Sequence, residues 1–214
     1  MTTAYLGPSY NLEANSINNE LSKHPGSFEI VDTPDICDAA SQLIADGAII
    51  GWVQGRSEFG PRALGNRSIL ADPRAPKIPE LINAKVKQRE AFMPFAPSIL
   101  AEHTQDYFCD VESSPFMLLA PKVKPQKIQE IPAVTHVDGT SRLQTVIRED
   151  NAVFYDLIKA FYVKTGIPIL LNTSLNSKDQ PICETVSDAL QCLTQTNLDF
   201  LVIGSSIVKV HRAC

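Results

Sequence analysis

Short apolar runs alternate with amphipathic segments along this chain, and that alternation limits the fold more than any other feature of the sequence. Pro34 to Gly47 has helical spacing, with Ile36, Ala39, Ala40, Leu43 and Ile44 on one face and Gly47 as a stop. Ala48 to Val53 follows as a buried strand. Ile78 to Lys87 reads as a helix with Leu81 and Ile82 inward, and Ala152 to Val163 as another built on Val153, Leu157, Ile158 and Phe161. Val186 to Leu193 reads as a fourth helix. Strands are expected at Phe95–Leu100, Phe116–Ala120, Val134–Val137, Ile169–Leu171, Phe200–Ile203 and Ile207–Val210, with an exposed loop over Lys122–Pro132. Such interleaving predicts an α/β or α+β domain around a mixed sheet. With 214 residues, no repeat and no low-complexity linker, one domain is expected over 1–214.

Composition excludes several classes. Hydrophobic residues are 44% and charged residues 20%, as in a globular protein with a core. No apolar run approaches the ~20 residues of a membrane span, and the start, Met1-Thr2-Thr3-Ala4, has no basic region followed by an apolar one, so no secretory signal is read. The five cysteines are widely spaced and never form Cys-x-x-Cys, which argues against a disulfide framework or a cysteine zinc site and fits reduced thiols in a cytosol. His24, His103, His136 and His211 are too scattered to suggest a metal site, and Trp52 is read as core.

Charge is unevenly placed. The net charge of −5 gives no general reason to expect nucleic acid as a partner. Between Arg56 and Arg89, however, eight basic residues face three acidic ones, for +5, while the rest of the chain carries −10. A basic island in an acidic chain is either a focused anion site or a solvated face with structural ion pairs.

Four segments can carry chemistry. In Gly60-Pro61-Arg62-Ala63-Leu64-Gly65-Asn66-Arg67-Ser68, glycines beside two arginines offer free N–H groups and guanidinium forks to an oxyanion. A rigid turn with one structural arginine is the other reading. No Walker A or Gly-x-Gly-x-x-Gly motif is present. Lys87 and Arg89 can leave a helix end together and face a phosphoryl group, or simply complement the helix dipole. Pro168 to Ser177 runs a buried strand into Thr173, Ser174 and Asn176, which suits either a small polar ligand or a hydrogen-bonded Asx turn. In His136-Val137-Asp138-Gly139-Thr140-Ser141-Arg142, His136 and Asp138 form an acid–base pair or a capped turn, and Arg142 begins a strand.

Together these segments resemble the C-terminal domain of the O-carbamoyltransferases, the family of the nodulation-factor, cephamycin and tobramycin carbamoyltransferases. The resemblance is carried by Gly51 to Arg74, Asn83 to Ser98, His136 to Arg142, Leu171 to Asn176 and Leu198 to Gly204. It implies a YrdC-like fold, a twisted mixed sheet with flanking helices. It also implies a reaction on ATP and carbamoyl phosphate. Carbamate left by loss of phosphate attacks the α-phosphorus of ATP, giving carbamoyl adenylate and pyrophosphate, with Mg²⁺ on the nucleotide phosphates. Lys87 and Arg89 match the family's Lys-x-Arg, and Thr173-Ser174-x-Asn176 its Thr-Ser-x-Asn. The resemblance therefore assigns Lys87, Arg142 and Ser174 to catalysis, and Arg62, Arg67, Arg89, Thr173 and Asn176 to substrate binding, with no resident metal. Two departures stand out: Met93 occupies a position where the family usually has arginine, and the family's N-terminal actin-like domain, which transfers the carbamoyl group to a hydroxyl acceptor, has no counterpart in this sequence. A partner domain or subunit is implied, and exposed docking faces make a homo-oligomer an expectation. A binding module without catalysis, or a threonylcarbamoyl-adenylate synthase, are the competing readings; the glycine-arginine block and the negative charge argue against the second.

Overall fold

The computed structural model describes residues 3–24, 27–90 and 93–211. In chain order the elements are α1 (Ala14–Leu21), β1 (Ser27–Asp32), α2 (Ile36–Ala45), β2 (Ile50–Val53), β3 (Arg67–Ala71), α3 (Ile78–Ile82), β4 (Ala96–Leu100), α4 (Thr104–Tyr107), β5 (Gln144–Val146), α5 (Ala152–Thr165), β6 (Ile169–Ser174), α6 (Val186–Gln195), β7 (Phe200–Ile203) and β8 (Ser206–His211). A π-helical turn, Asn83–Lys87, continues α3 directly.

All eight strands form one mixed sheet in the order β1-β8-β7-β2-β3-β6-β4-β5. The β2–β7 and β4–β5 pairs are parallel and the others antiparallel. The fold class is therefore the mixed α/β one that the sequence predicts. The central strands β2, β3 and β4 are buried along their whole length, which matches their apolar or small-residue character everywhere but Arg67. α2 and α5 pack on each other. α5 begins at Asn151, whose side chain accepts from Phe154 N–H, and ends at Gly166 in the left-handed region (φ 76°). α6 begins in a capping box, with Thr185 and Asp188 exchanging side-chain and main-chain bonds. No helix among the described residues is long and apolar enough to cross a membrane.

The structure corrects several local expectations. The glycine-rich segment is a loop only to Asn66, because Arg67–Ala71 pairs with both β2 and β6. The expected helix over 78–87 changes pitch at Asn83, and Leu81 is exposed while Ile82 is buried. Val153 likewise lies exposed on α5. Phe116–Ala120 and Val134–Val137 are not strands: the first contributes a lone bridge from Leu119 to Leu143, and Val134 ends a 3₁₀ turn. Segment 122–132 is not a plain exposed loop, since Val123 and Ile131 are buried and residues 125–127 form a 3₁₀ turn. The strand expected from Arg142 is β5, whose ladder begins at Gln144. α1, α4 and β1 were not expected. Their apolar content is low or their span short, and tertiary pairing decides them.

One glycine fixes where the loop after β2 can sit. Gly65 has φ 108°, and a Cβ there would lie 2.2 Å from a ring carbon of Phe154 on α5. Gly65→Ala therefore combines a strained backbone with a clash inside the core. It should cost on the order of 2–4 kcal/mol, measured by urea unfolding against the wild-type chain.

Candidate functional site

The β2–β3 loop is held by charges turned inward. A single carboxylate oxygen of Glu58 accepts from the main-chain N–H groups of Leu64 (2.6 Å), Asn66 (2.8 Å) and Arg67 (3.4 Å). Trp52 donates its indole N–H to Gly65 O at 2.9 Å, and Asn66 donates to Arg56 O at 2.7 Å. The N–H cradle expected to receive a ligand oxyanion is thus filled by the chain's own anion.

Arg67 is fully buried. Its guanidinium donates to the carbonyls of Gln54 (2.7 Å), Asn66 (2.9 Å) and Glu184 (3.0 Å). Burial pulls its pKa down, against the opposing pull of Glu58 and Glu184. The structure therefore places Arg67 as a tie between β2, β3 and the segment leading into α6, and not on a ligand-facing surface. Sequence pattern cannot separate it from Arg62, which lies exposed on the same loop.

Lys87, Ser174 and Asn176 do come together. The Lys87 Nζ donates to Ser174 O (2.5 Å), Asn176 Oδ1 (2.5 Å), Ser174 Oγ (3.2 Å) and Asn176 O (3.2 Å). Ser174 Oγ donates in turn to Asn176 Oδ1 at 2.7 Å. The π turn delivers Lys87 into this cage, and Gln88 then reverses the chain with φ 46°. Burial first, and the Arg89 charge second, push the Lys87 amine down to about 7. Four oxygen acceptors around it favour the ammonium and partly offset that push. Thr173 projects to the opposite side of β6 by the strand's alternation, beside Ile69 of β3, and does not join the cage.

A cleft of about 500 Å³ opens over these groups, lined by Lys87, Arg89, Ser174, Asn176, Glu90 and Asp179 among others. Its size is in the range of small-molecule sites. Arg89 donates its Nε to Asn83 Oδ1 (2.7 Å) and lies over the Phe95 ring at 4.9 Å. Asn83 is buried and also donates to Met93 O at 3.2 Å. It thereby sets both Arg89 and the main chain at Met93, a positioning role that no motif marked.

Arg142 is the least compensated charge in this region. Its Nε is buried and makes no hydrogen bond. Burial lowers its pKa, and the fields of Arg62 and Arg89 lower it further. Like charges held close together are costly to bury, and Glu90 offsets part of that cost at Arg89. His136 and Asp138 resolve as a capped turn. His136 Nδ1 meets Thr140 Oγ1 at 3.1 Å, and exposed Asp138 accepts from Thr140 N–H at 2.9 Å.

Comparison with known proteins identifies the family. Residues 41–210 match the family model described as "Carbamoyltransferase C-terminus". The chain belongs to that family. It is 49% identical over 212 residues to nodulation protein NolNO of Sinorhizobium fredii, covering 98% of this chain and 31% of that one. It is 36% identical over 169 residues to the 3'-hydroxymethylcephem-O-carbamoyltransferase of Amycolatopsis lactamdurans, covering 79% of this chain and 32% of the relative. The chain thus spans about a third of the length of these curated relatives. Among solved structures, full-length HypF in its phosphate- and nucleotide-bound form matches with a TM-score of 0.53 at 16% identity, over 88% of this chain and 23% of HypF. At that identity the likeness is one of fold.

The depressed Lys87 pKa has a thermodynamic consequence. In the unfolded chain the amine keeps its ordinary value of 10.5, against about 7 when folded. Between those values the unfolded state binds a proton that the folded state lacks, so this group's contribution to stability grows as pH rises and is lost as pH falls through about 7. Urea unfolding at the two ends of that window should show a smaller rise in stability for Lys87→Met than for wild type.

Proposed function

We propose that the cleft over Lys87 and Arg89, with Arg142 contributing its charge near Arg89, binds ATP and carbamoyl phosphate and forms carbamoyl adenylate, the activated donor that a separate domain or subunit then passes to a hydroxyl acceptor. The observation that carries this reading is the buried, unpartnered Nε of Arg142 beside Arg62 and Arg89. Two anionic substrates can approach each other only where clustered cations offset their repulsion and stabilise charge growing on phosphate oxygens. Hydrolysis of carbamoyl phosphate supplies carbamate and phosphate. Carbamate oxygen then attacks the α-phosphorus, and pyrophosphate leaves. Arg62, Arg89 and Arg142 hold phosphoryl oxygens in this scheme, and the Lys87–Ser174–Asn176 cage presents a hydroxyl and an amide to the carbamoyl end.

Mg²⁺ is proposed only as a companion of the nucleotide phosphates. Among the described residues no group of three or more His, Cys, Asp and Glu side chains is placed to hold a metal. The ion would supply further neutralisation of phosphate charge, and no step assigned to the protein's own residues depends on it.

Pyrophosphate release from ATP and Mg²⁺, with and without carbamoyl phosphate, tests the reading directly. Release that requires carbamoyl phosphate is the expected outcome. Arg142→Ala should weaken nucleotide binding about 10- to 100-fold, the worth of one or two charge-assisted hydrogen bonds. Tight ATP binding by the wild-type chain with no pyrophosphate release, even with an N-terminal partner supplied, would instead identify a binding module. Met93, where the resembled family usually has arginine, makes that the second reading, and Met93→Arg is the variant that separates the two.

The affinity for inorganic phosphate should also depend on pH. Lys87 holds an anion best when protonated, so binding should weaken as pH rises through about 7. Calorimetry in buffers of different ionisation enthalpy should register proton uptake on binding above that pH. Pyrophosphate release that is unchanged in both Lys87→Ala and Ser174→Ala would place the chemistry elsewhere.

A further inference from the structure

A buried amide network that the proposed reaction does not use ties β4, β5 and β6 to the loop after β2. Gln144 of β5 and Asn172 of β6 are 2% and 1% exposed. Gln144 Oε1 accepts from Ser98 Oγ at 2.6 Å and from Asn172 Nδ2 at 3.0 Å. Its Nε2 donates to Leu64 O at 2.8 Å. Asn172 Nδ2 also donates to Ser98 Oγ at 3.0 Å and to Ala63 O at 3.3 Å, and Tyr5 donates its hydroxyl to the same Leu64 O at 2.9 Å. A carbonyl can only accept, so Ala63 O and Leu64 O fix which way round both amides point.

Position gives this network a use beyond packing. Leu64 stands two residues after Arg62 and Gln144 two residues after Arg142, so one hydrogen bond links the two segments that carry these arginines. The two guanidinium groups repel each other, and an exposed loop arginine swings away from its neighbour unless the main chain beneath it is held. Glu58 already accepts from Leu64 N–H at 2.6 Å, so Leu64 is fastened at both its N–H and its C=O. The network is not there for stability alone. An apolar side chain would fill the same space at no loss, and Asn172 Oδ1 has no partner among the described residues. What an amide adds is the bond to the loop.

We propose that Gln144 is a positioning residue of the anion site: its side-chain amide, oriented by Ser98 and Asn172, holds the Leu64 carbonyl so that Arg62 meets the same anion as Arg142. The inference rests on the anion-site reading above and adds to it a residue that touches no substrate. Tyr5 holds the same carbonyl from the N-terminal segment and shares the role. The Lys87 cage is built separately, on Ser174 and Asn176.

The test is a double-mutant cycle on the full chain, read as ATP affinity by calorimetry. Gln144→Met keeps the apolar bulk and removes the hydrogen bonds to Ser98, Asn172 and Leu64. It should weaken ATP binding about 3- to 10-fold. Arg62→Ala should weaken it as well, and adding Gln144→Met to Arg62→Ala should cost less than about twofold more, because the side chain being placed is gone. A merely structural role predicts the same loss in both backgrounds. Tyr5→Phe, which removes only the other bond to Leu64 O, decides the matter if Gln144→Met does not fold; its expected loss is about 2- to 5-fold, again absent without Arg62. The proposal is overturned if the variant binds ATP as wild type does, or if its loss is undiminished in the Arg62→Ala background; both results leave the anion-site reading standing. An unchanged affinity in Arg62→Ala also overturns it and removes Arg62 alone from that reading. Wild-type chain that binds no ATP overturns the reading itself, and the inference with it.

Discussion

A guanidinium with no solvent exposure holds the β2–β3 hairpin in shape. Burying a charge costs several kcal/mol unless polar partners replace water, and here they are main-chain carbonyls from Gln54, Asn66 and Glu184. The complementary charge, Glu58, is likewise spent on main-chain N–H groups across the loop. Each of the two charges is satisfied by peptide dipoles. The loop is consequently rigid around Gly65, and exposed Arg62 is presented from a fixed base. Ser57, two residues on from Gly55, donates to both oxygens of Glu184 at 2.8 Å, which extends the same tie toward α6.

The basic island of the sequence is thereby sorted into two populations. Arg67 is internal, and Arg74 is taken up by Asp72 at 2.6 Å and by the Phe161 ring at 5.5 Å. Arg56 donates to the carbonyls of Leu6 and Gly7. Lys77 and Lys85 lie exposed, which leaves Arg62, Lys87 and Arg89 for the proposed anion site, joined by Arg142 from more than fifty residues beyond Arg89. The proposed cation cluster is thus a tertiary product, built from three of the island's eight basic residues and one from outside it.

Much of this was legible in the sequence, and the failures have physical causes. α2, α5, α6, β2, β6, β7 and β8 announced themselves because their apolar residues follow a helical repeat or a short buried run. Convergence of Lys87 with Ser174 and Asn176 was expected from the resemblance, and the Asx-turn reading proved compatible with it, since Ser174 and Asn176 bond to each other as well as to Lys87. Arg67 was not separable from Arg62, because a buried arginine satisfied by carbonyls carries no local signature. β1 is an edge strand whose pairing with β8 is decided by a neighbour distant in sequence. The exchange of Phe116–Ala120 for irregular chain has the same origin: its apolar residues find burial, as Met117 does, without a continuous ladder.

The π turn at Asn83–Lys87 has a bearing on how such a chain can vary over time. Its wider coil, closed by Gln88 N–H on Asn83 O, accommodates one residue more than an α-helical turn. Loss of that residue would restore ordinary pitch and rotate everything beyond it by about 100° around the helix axis. Lys87 would then leave the Ser174–Asn176 cage without any change in its own identity. Length, rather than side-chain chemistry, is the heritable property this stretch must keep, so insertions and deletions should be purged here while point substitutions at exposed positions such as Lys85 are tolerated.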